Sequence, residues 1–410
     1  MNRLIYYKWG SNSDDIMIHN LIRHGYDLTI IEATCSDYTR DMKLAQKFIL
    51  KINEVNAEAV FSFDYFPILS MVCDTCKIQY YSWVYDSPHF TLYSKCTDMV
   101  CNHIGIFDRG LTNSLREIGI DTVYHVPLAA DSEIFRSSIR TCKKDYTCDV
   151  SFVGSLYTDN HEYYGLFRKE QTDNNTDSDI TCIWEKLDDT IRLQAFDYES
   201  DHISSLVSET PQIMEYLYGL MEEHGLTLGD DYIQDHARLV YDSVLAKRVT
   251  VIERRDLLEE IDRFCRGQNY SFRLFTGSVL TPGDSLMHAA KRGGYVDYIK
   301  QMPAVFAQSR INLNISLRTI KTGIPLRAID ILACGGFLLT NPQEEMYEYL
   351  TEGKDFEAFR SVEECLDKIK YYLEHDDERA NIAASGYDKA EKWFSYDALF
   401  DKLVSVPSLR

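Results

Sequence analysis

Short apolar runs alternate along the chain with segments whose apolar positions recur every three or four residues, the mark of strands separated by helices. Residues 3–9 (RLIYYKW), 27–33 (DLTIIEA), 59–65 (AVFSFDY) and 78–86 (IQYYSWVYD) read as strands. Helices are predicted over 14–25, near 40–54 and around 67–76. The first of these follows a Gly-Ser-Asn-Ser loop able to cap it and stops at Gly25. Two more strands are expected within 103–109 and 122–130, around a short helix at 111–118. Residues 131–147 are polar, mixed in charge and weakly periodic, and supply a linker at 136–147. The pattern restarts at 148–157 (CDVSFVGSLY), a buried strand running into a Gly-Ser turn. A long segment, about 158–265, reads as helical except for the polar tract 171–179 (QTDNNTDSD), expected as a surface loop. Strands resume at 270–278, 310–316, 336–341 and 356–361. Helices close the chain, and one of them places Val362, Leu366, Ile369 and Leu373 on a single face.

This rhythm is α/β: two Rossmann-like, doubly wound domains at 1–135 and 148–386, the second carrying the helical insertion. A C-terminal helix at 387–410 is expected to pack back on the first domain. Two such domains face each other across a cleft, and ligands of parallel sheets bind beyond the carboxyl ends of the strands. The loops after strands are therefore where chemistry is sought.

Composition agrees with two cores: 410 residues exceed what one core usually holds, and 45% are hydrophobic and 12% aromatic. A net charge of −21 argues against nucleic acid or an anionic membrane surface as partner, since both require a concentrated positive face. The first residues lack the apolar stretch of a signal peptide, and no apolar run approaches the roughly 20 residues that span a bilayer. A cytoplasmic protein without stable membrane insertion is expected. The 11 cysteines show no repeating spacing and suit reduced thiols; Cys73 and Cys76 lack a second pair or a nearby His and read as two thiols on a helix.

Three loops stand out. Gly154-Ser155 directly follows the strand DVSFV, where a glycine lets backbone N–H groups approach a phosphate, although a tight strand-to-helix turn needs the same residues. The segment 293–316 opens on a glycine turn, passes Tyr295 and Val296, and ends on a strand bearing Asn314; such a loop can hold a flat base, or its tyrosines can simply pack. In 322–340 (TGIPLRAIDILACGGFLLT), Gly323 and Ile324 precede a helix start, and Arg327 and Asp330 share a face at i, i+3. That pair is either a structural salt bridge or a cation for a diphosphate beside a carboxylate for a ribose diol.

The order of these pieces resembles the nucleotide-sugar half of group 1 glycosyltransferases with the GT-B fold. The resemblance is closer to the CgeB-like branch, through Asn314, Arg327, Asp330 and the run Ala333-Cys334-Gly335-Gly336-Phe337-Leu338-Leu339-Thr340. Residues 127–135 and 148–155 match the same family, and 61–67 and 82–89 resemble its companion N-terminal domain. The resemblance implies two Rossmann-like domains, a nucleotide-diphosphate-sugar donor and no cofactor or metal; no Asp-x-Asp motif follows a strand of the second domain. It places the ribose contact on Asp330, one methylene shorter than the usual Glu. The amides of Gly323 and Ile324 would face the diphosphate, and Arg327, with Arg318 or Lys321, would offset its charge. Thr322 stands where relatives carry a carboxylate near the donor sugar.

On the acceptor side, the strand 79–85 ends at Asp86, with His89 beyond Pro88. Either is placed to act as general base, unless Asp86 only caps the turn. Trp9 and Gly10, after the first strand, also face the cleft. The expected activity is metal-independent hexosyl transfer to a protein, glycan or small molecule. The alternatives are a nucleotide-sugar epimerase of the same fold and a non-catalytic nucleotide-sugar-binding or spore-coat-associated protein.

Overall fold

The computed structural model describes residues 3–158, 162–174 and 178–404. Strands β1 (Arg3–Lys8), β2 (Asp27–Glu32), β3 (Ala59–Phe63), β4 (Gln79–Val84), β5 (Asn102–Ile106) and β6 (Val123–His125) form one parallel sheet in the order β2-β1-β3-β4-β5-β6. Strands β7 (Cys148–Val153), β8 (Phe272–Phe275), β9 (Ser309–Asn314), β10 (Leu338–Thr340) and β11 (Glu357–Ala358) form a second, ordered β11-β10-β9-β7-β8. All pairings within both sheets are parallel. Both faces are covered, which is why β3 and β5 are buried along their whole length.

Alternation sorts β1 between two cores. Leu4 and Tyr6 join one cluster, while Ile5 and Tyr7 join the cluster on the opposite face. The first cluster does not stop at the sheet. It continues through Trp83 into Ile324, Ile329 and Leu338 of the second domain and on to Tyr396 and Phe400. The two halves are thus joined by shared apolar packing as well as by the chain.

Four boundaries differ from expectation. Residues 132–141, which straddle the start of the expected linker, form a helix, because Asp131 caps it by accepting from Ile134 N–H (3.0 Å) and Phe135 is wholly buried. The tract 171–179 is not a loop throughout: Tyr163–Asn174 and Ser178–Phe196 are helices, and 175–177 lie outside the described residues. The insertion's last helix, Ala246–Gln268, outruns the expected end at 265. At the C-terminus, position 387 falls inside the helix Asp376–Phe394, and the break comes instead at the extended residue Ser395. The next helix, Tyr396–Val404, lies on the first sheet, with Tyr396 edge-on to Trp83, Phe400 stacked on His24 (3.7 Å between centroids) and Asp397 paired with Arg23.

The insertion has its own apolar cluster around Trp184, Leu217 and Val244. It also reaches the first domain: Asp231 pairs with Arg40 (2.8 Å) and its carbonyl accepts from Lys95 N–H, while Ile233 N–H donates to Tyr93 O (2.7 Å).

A buried carboxylate of the first domain bonds directly to the second. Asp108, after β5, caps the helix Arg109–Glu117 through Leu111 N–H and also accepts from Lys321 N–H (2.6 Å) and Thr322 N–H (3.3 Å). Replacing Asp108 with Ala removes a cap and leaves buried N–H groups unpaired. The Asp108→Ala protein is expected to lose about 2 kcal/mol of stability, seen as a lower Tm by calorimetry.

Candidate functional site

Each sheet has a topological switch point, between β1 and β3 in the first and between β7 and β9 in the second, where crevices open beyond the carboxyl ends. A cavity lies close to each.

In the second domain, a cavity of about 680 Å³ is lined by Gly154 and Ser155 after β7, Gly277 and Ser278 after β8, and Tyr295 and Val296. Arg327 and Tyr298 close one side, and Asn12, from the loop after β1, closes it from the first domain. Five expected donor residues, Gly154, Ser155, Tyr295, Val296 and Arg327, therefore meet in one place. Tyr295 presents an exposed ring. Gly293 lets its loop pass against the backbone of Leu274, where a Cβ has no room.

The other donor expectations are corrected. Asp330 does not line the cavity: it is fully buried, its Oδ1 accepting from Tyr298 O–H and its Oδ2 from Arg327 Nη1, both at 3.0 Å. It stands behind the two residues that do. Burial pushes its carboxyl up to about 7, against the pull of Arg327. Asn314 is internal to the sheet, donating to Thr340 Oγ1 (2.8 Å). Arg318 is held by Glu253 (2.7 Å) and packs on the Tyr198 ring, and it faces a separate groove of about 1090 Å³ under the insertion, as does Lys321. Gly323 packs against Asp108 and Phe107, where a Cβ would lie 2.9 Å from Asp108 Cα, and Ile324 is buried; this loop is a domain contact rather than an open phosphate cradle. The amides of Lys321 and Thr322 already serve an anion, the Asp108 carboxylate.

Thr322 now has a reason. Its Oγ1 lies 2.7 Å from Glu345 Oε1 and 3.1 Å from Asp108 Oδ1, and it accepts from Gly110 N–H. A carboxylate at 322 would be the third in one buried spot.

Between these two cavities of the second domain stands a residue that sequence reasoning missed. Arg254, on the insertion's helix Ala246–Gln268, donates to Ser155 O (2.6 Å) and to Ile315 O, spanning the switch point from the loop after β7 to the end of β9. In sequence it is one arginine among several on a charged helix, with nothing to mark it as buried.

In the first domain, a cavity of about 520 Å³ holds Trp9 after β1, Asp64 after β3, and Asp86, Pro88 and His89 after β4. Leu228 and Tyr232 of the insertion form its ceiling. Asp64 sits in the left-handed region (φ 55) and is fully buried; its Oδ1 accepts from the N–H groups of Tyr85 (3.2 Å) and Asp86 (3.3 Å). Desolvation and the Asp64 charge raise the Asp86 carboxyl well above the usual carboxylate range, and desolvation raises Asp64 too. Asp86 itself remains open to the cavity. His89 Nε2 lies 3.1 Å from Tyr65 N and 3.3 Å from Tyr65 O, its Nδ1 stands 4.0 Å from Asp64 Oδ1, and burial lowers its pKa, so the ring is held against the main chain of Tyr65. Trp9 donates Nε1–H to Phe63 O (2.9 Å), fixing its ring in the wall. Gly10 (φ 109) does not line the cavity; its N–H is taken by Asp14 (3.1 Å). The loop after β1 contributes to both cavities, Trp9 to one and Asn12 to the other. Among the described residues, no three His, Cys, Asp or Glu side chains group as metal ligands, and no helix is long and apolar enough to cross a membrane.

Two doubly wound domains with facing carboxyl ends and terminal helices returning to the first define the GT-B fold, and comparison with solved structures agrees over the whole chain. The glycosyltransferase from Rickettsia africae ESF-5 aligns at 10% identity over 99% of this chain and 97% of its own, with a TM-score of 0.51. Anabaena Alr3699/HepE, in complex with UDP-glucose, aligns at 8% identity over 99% of both chains, with a TM-score of 0.50. Residues 253–405 match the family model described as glycosyl transferase-like. No curated protein matches the sequence.

The buried Asp330 gives a signed pH dependence. A carboxyl near 3.9 when unfolded and about 7 when folded holds its proton longer in the native state, so its contribution is full below about pH 4 and is lost as pH rises toward 7. In Asp330→Asn this loss disappears. The Tm difference, variant minus parent, is expected to grow more positive from pH 4.5 to pH 8, measured by a thermal scan at each pH.

Proposed function

We propose that the chain transfers a sugar from a nucleotide-diphosphate-sugar to a hydroxyl acceptor without a metal. The observation that carries this reading is the pairing of two cavities across one loop: a glycine-lined cavity with an exposed aromatic ring and a guanidinium, and a cavity with a high-pKa carboxyl pair. The glycosyl transferase-like match to residues 253–405 supports it, as does a fold like that of Alr3699/HepE, which was solved with UDP-glucose.

On this reading the base lies against Tyr295 and the main chain of Val296, and the ribose meets Tyr298 O–H. Asp330 orients both Tyr298 and Arg327 from behind and is a positioning residue. The diphosphate lies over Gly154 and Ser155, where backbone N–H groups approach it closely, and Arg327 offsets the charge that develops as it departs. Asp86 removes the acceptor's proton. A carboxyl raised toward neutrality is well matched to that task, because it is ionised in part yet still basic. Membership of the CgeB-like branch, resting on Arg327, Asp330 and residues 333–340, and a cytoplasmic location belong to the same proposal.

A thermal-shift screen across UDP, GDP and dTDP identifies the base through ligand linkage. Incubation with the matching sugar nucleotides then separates the outcomes. Release of the nucleoside diphosphate supports transfer, inversion of the sugar without release indicates an epimerase, and binding with neither indicates a binding protein. Asp86→Asn is expected to bind nucleotide normally and to lose at least about 100-fold in turnover; full turnover would move the base to Asp64. Arg327→Ala is expected to weaken nucleotide binding by about 1.5–3 kcal/mol in calorimetry.

A further inference from the structure

The chain carries 64 Asp and Glu residues, yet none of the described residues lining the second-domain cavity is acidic. Arg327 is the one charged side chain among them. A protein this acidic that keeps carboxylates out of a cavity of about 680 Å³ leaves room there for an anion.

Three hydroxyls form the face of that cavity beyond β7 and β8, and the main chain has already taken a lone pair from each. Ser155 Oγ accepts from Tyr157 N–H (3.0 Å), Ser278 Oγ from Leu156 N–H (2.8 Å) and Thr276 Oγ1 from Ser278 N–H (3.0 Å). Their protons are less occupied. The two serine oxygens lie 3.2 Å apart, so one proton is shared between them. The other proton of that pair and the proton of Thr276 have no acceptor among the described residues. Ser155 and Ser278 are both partly exposed at the cavity wall, so the free protons are within reach of an occupant. The face therefore offers donors to an acceptor-rich group.

Arg254 stands directly behind it. Its Nη1 donates to Ser155 O (2.6 Å) and lies 3.7 Å from where a Cβ on Gly154 would stand. The peptide that offers this carbonyl is the one whose N–H, that of Leu156, donates to Ser278 Oγ. A guanidinium on the carbonyl draws electron density from the amide, and the amide draws it from the hydroxyl, so each bond of the chain strengthens the next. The partners of Arg254 are carbonyls and not a carboxylate, and burial lowers its pKa, with the charge of Arg327 adding to that effect. An anion in the cavity is attracted by both cations.

We propose that Arg254 is a positioning residue of this cavity: through the Ser155 peptide it holds and polarises the hydroxyls of Ser155 and Ser278, which donate to a diphosphate that Arg254 itself does not touch. The proposal rests on reading this cavity as the nucleotide-sugar site. The insertion thus serves the donor by charge and orientation without lining its cavity.

The test uses the full chain and measures UDP, GDP, dTDP and inorganic pyrophosphate by calorimetry, and the matching nucleosides by saturation-transfer NMR. Ser278→Ala is expected to weaken pyrophosphate and the preferred diphosphate at least fivefold while its nucleoside stays within twofold; Ser278→Thr, which keeps the hydroxyl, should bind like the parent. Arg254→Met should weaken the diphosphate tenfold or more with the same indifference of the nucleoside, and Arg254→Lys, which keeps the charge but cannot bridge two carbonyls, should recover at least threefold of that loss. A merely structural arginine would lower nucleoside and diphosphate affinity together, with Lys no better than Met. If Arg254→Met does not fold, Arg254→Lys and the two Ser278 variants carry the same comparison against the parent. Unchanged diphosphate affinity in Ser278→Ala, or an equal loss of nucleoside, overturns the proposal. If the diphosphates bind and the variants are silent, this assignment fails alone. If pyrophosphate binds and responds to the variants but no nucleotide does, the anion site stands and the nucleotide-sugar reading fails; if neither binds, both fail.

Discussion

A buried guanidinium at the centre of the second sheet governs the arrangement of the cleft. Arg254 is enclosed by Phe152 and Tyr157 and bridges two carbonyls on opposite sides of the switch point. Burying a cation is costly unless its donors are met, and burial depresses its pKa accordingly. The forked geometry of arginine matches two separated carbonyls in a way that an ammonium does not. Its neighbour Glu253 binds Arg318, Tyr198 and Asn341. Through these two residues the insertion is anchored to the loops at the carboxyl ends of the second sheet.

Charge at the opposite side of the cleft has a similar organising effect. Asp108 fills the anion position offered by the amides after β9, and Glu345 reaches Thr322 from beyond β10 while its other oxygen meets His125 at 2.7 Å. The neutral hydroxyl at 322 is thus part of a domain contact. The apolar cluster shared by both sheets runs beside this contact, so the facing carboxyl ends are held by packing and hydrogen bonds together.

Strands such as β3 were legible because buried parallel strands are short and largely apolar, and part of the second-domain cavity was legible because Gly154, Tyr295 and Arg327 lie within recognisable strand-end patterns. Side-chain direction was not. The i, i+3 spacing of Arg327 and Asp330 predicts a shared face, and the structure shows them paired, yet nothing in the spacing says that Tyr298 covers the carboxylate. The helix at 132–141 escaped because its apolar face is narrow and its remaining residues are charged or small. Arg254 and Asn12 carry no local signal at all, since each matters only through partners distant in sequence.

The insertion is threaded into the chain of the second domain, yet Leu228 and Tyr232 roof the cavity of the first. The second-domain cavity, by contrast, is assembled from strand-end loops of both sheets and contains none of the residues between 163 and 268. The two cavities are therefore lined by largely different stretches of sequence, joined through the loop after β1 and through Arg254, which holds Ser155. A change of length or sequence around 228–232 would reshape the first-domain cavity while leaving every lining residue of the second in place.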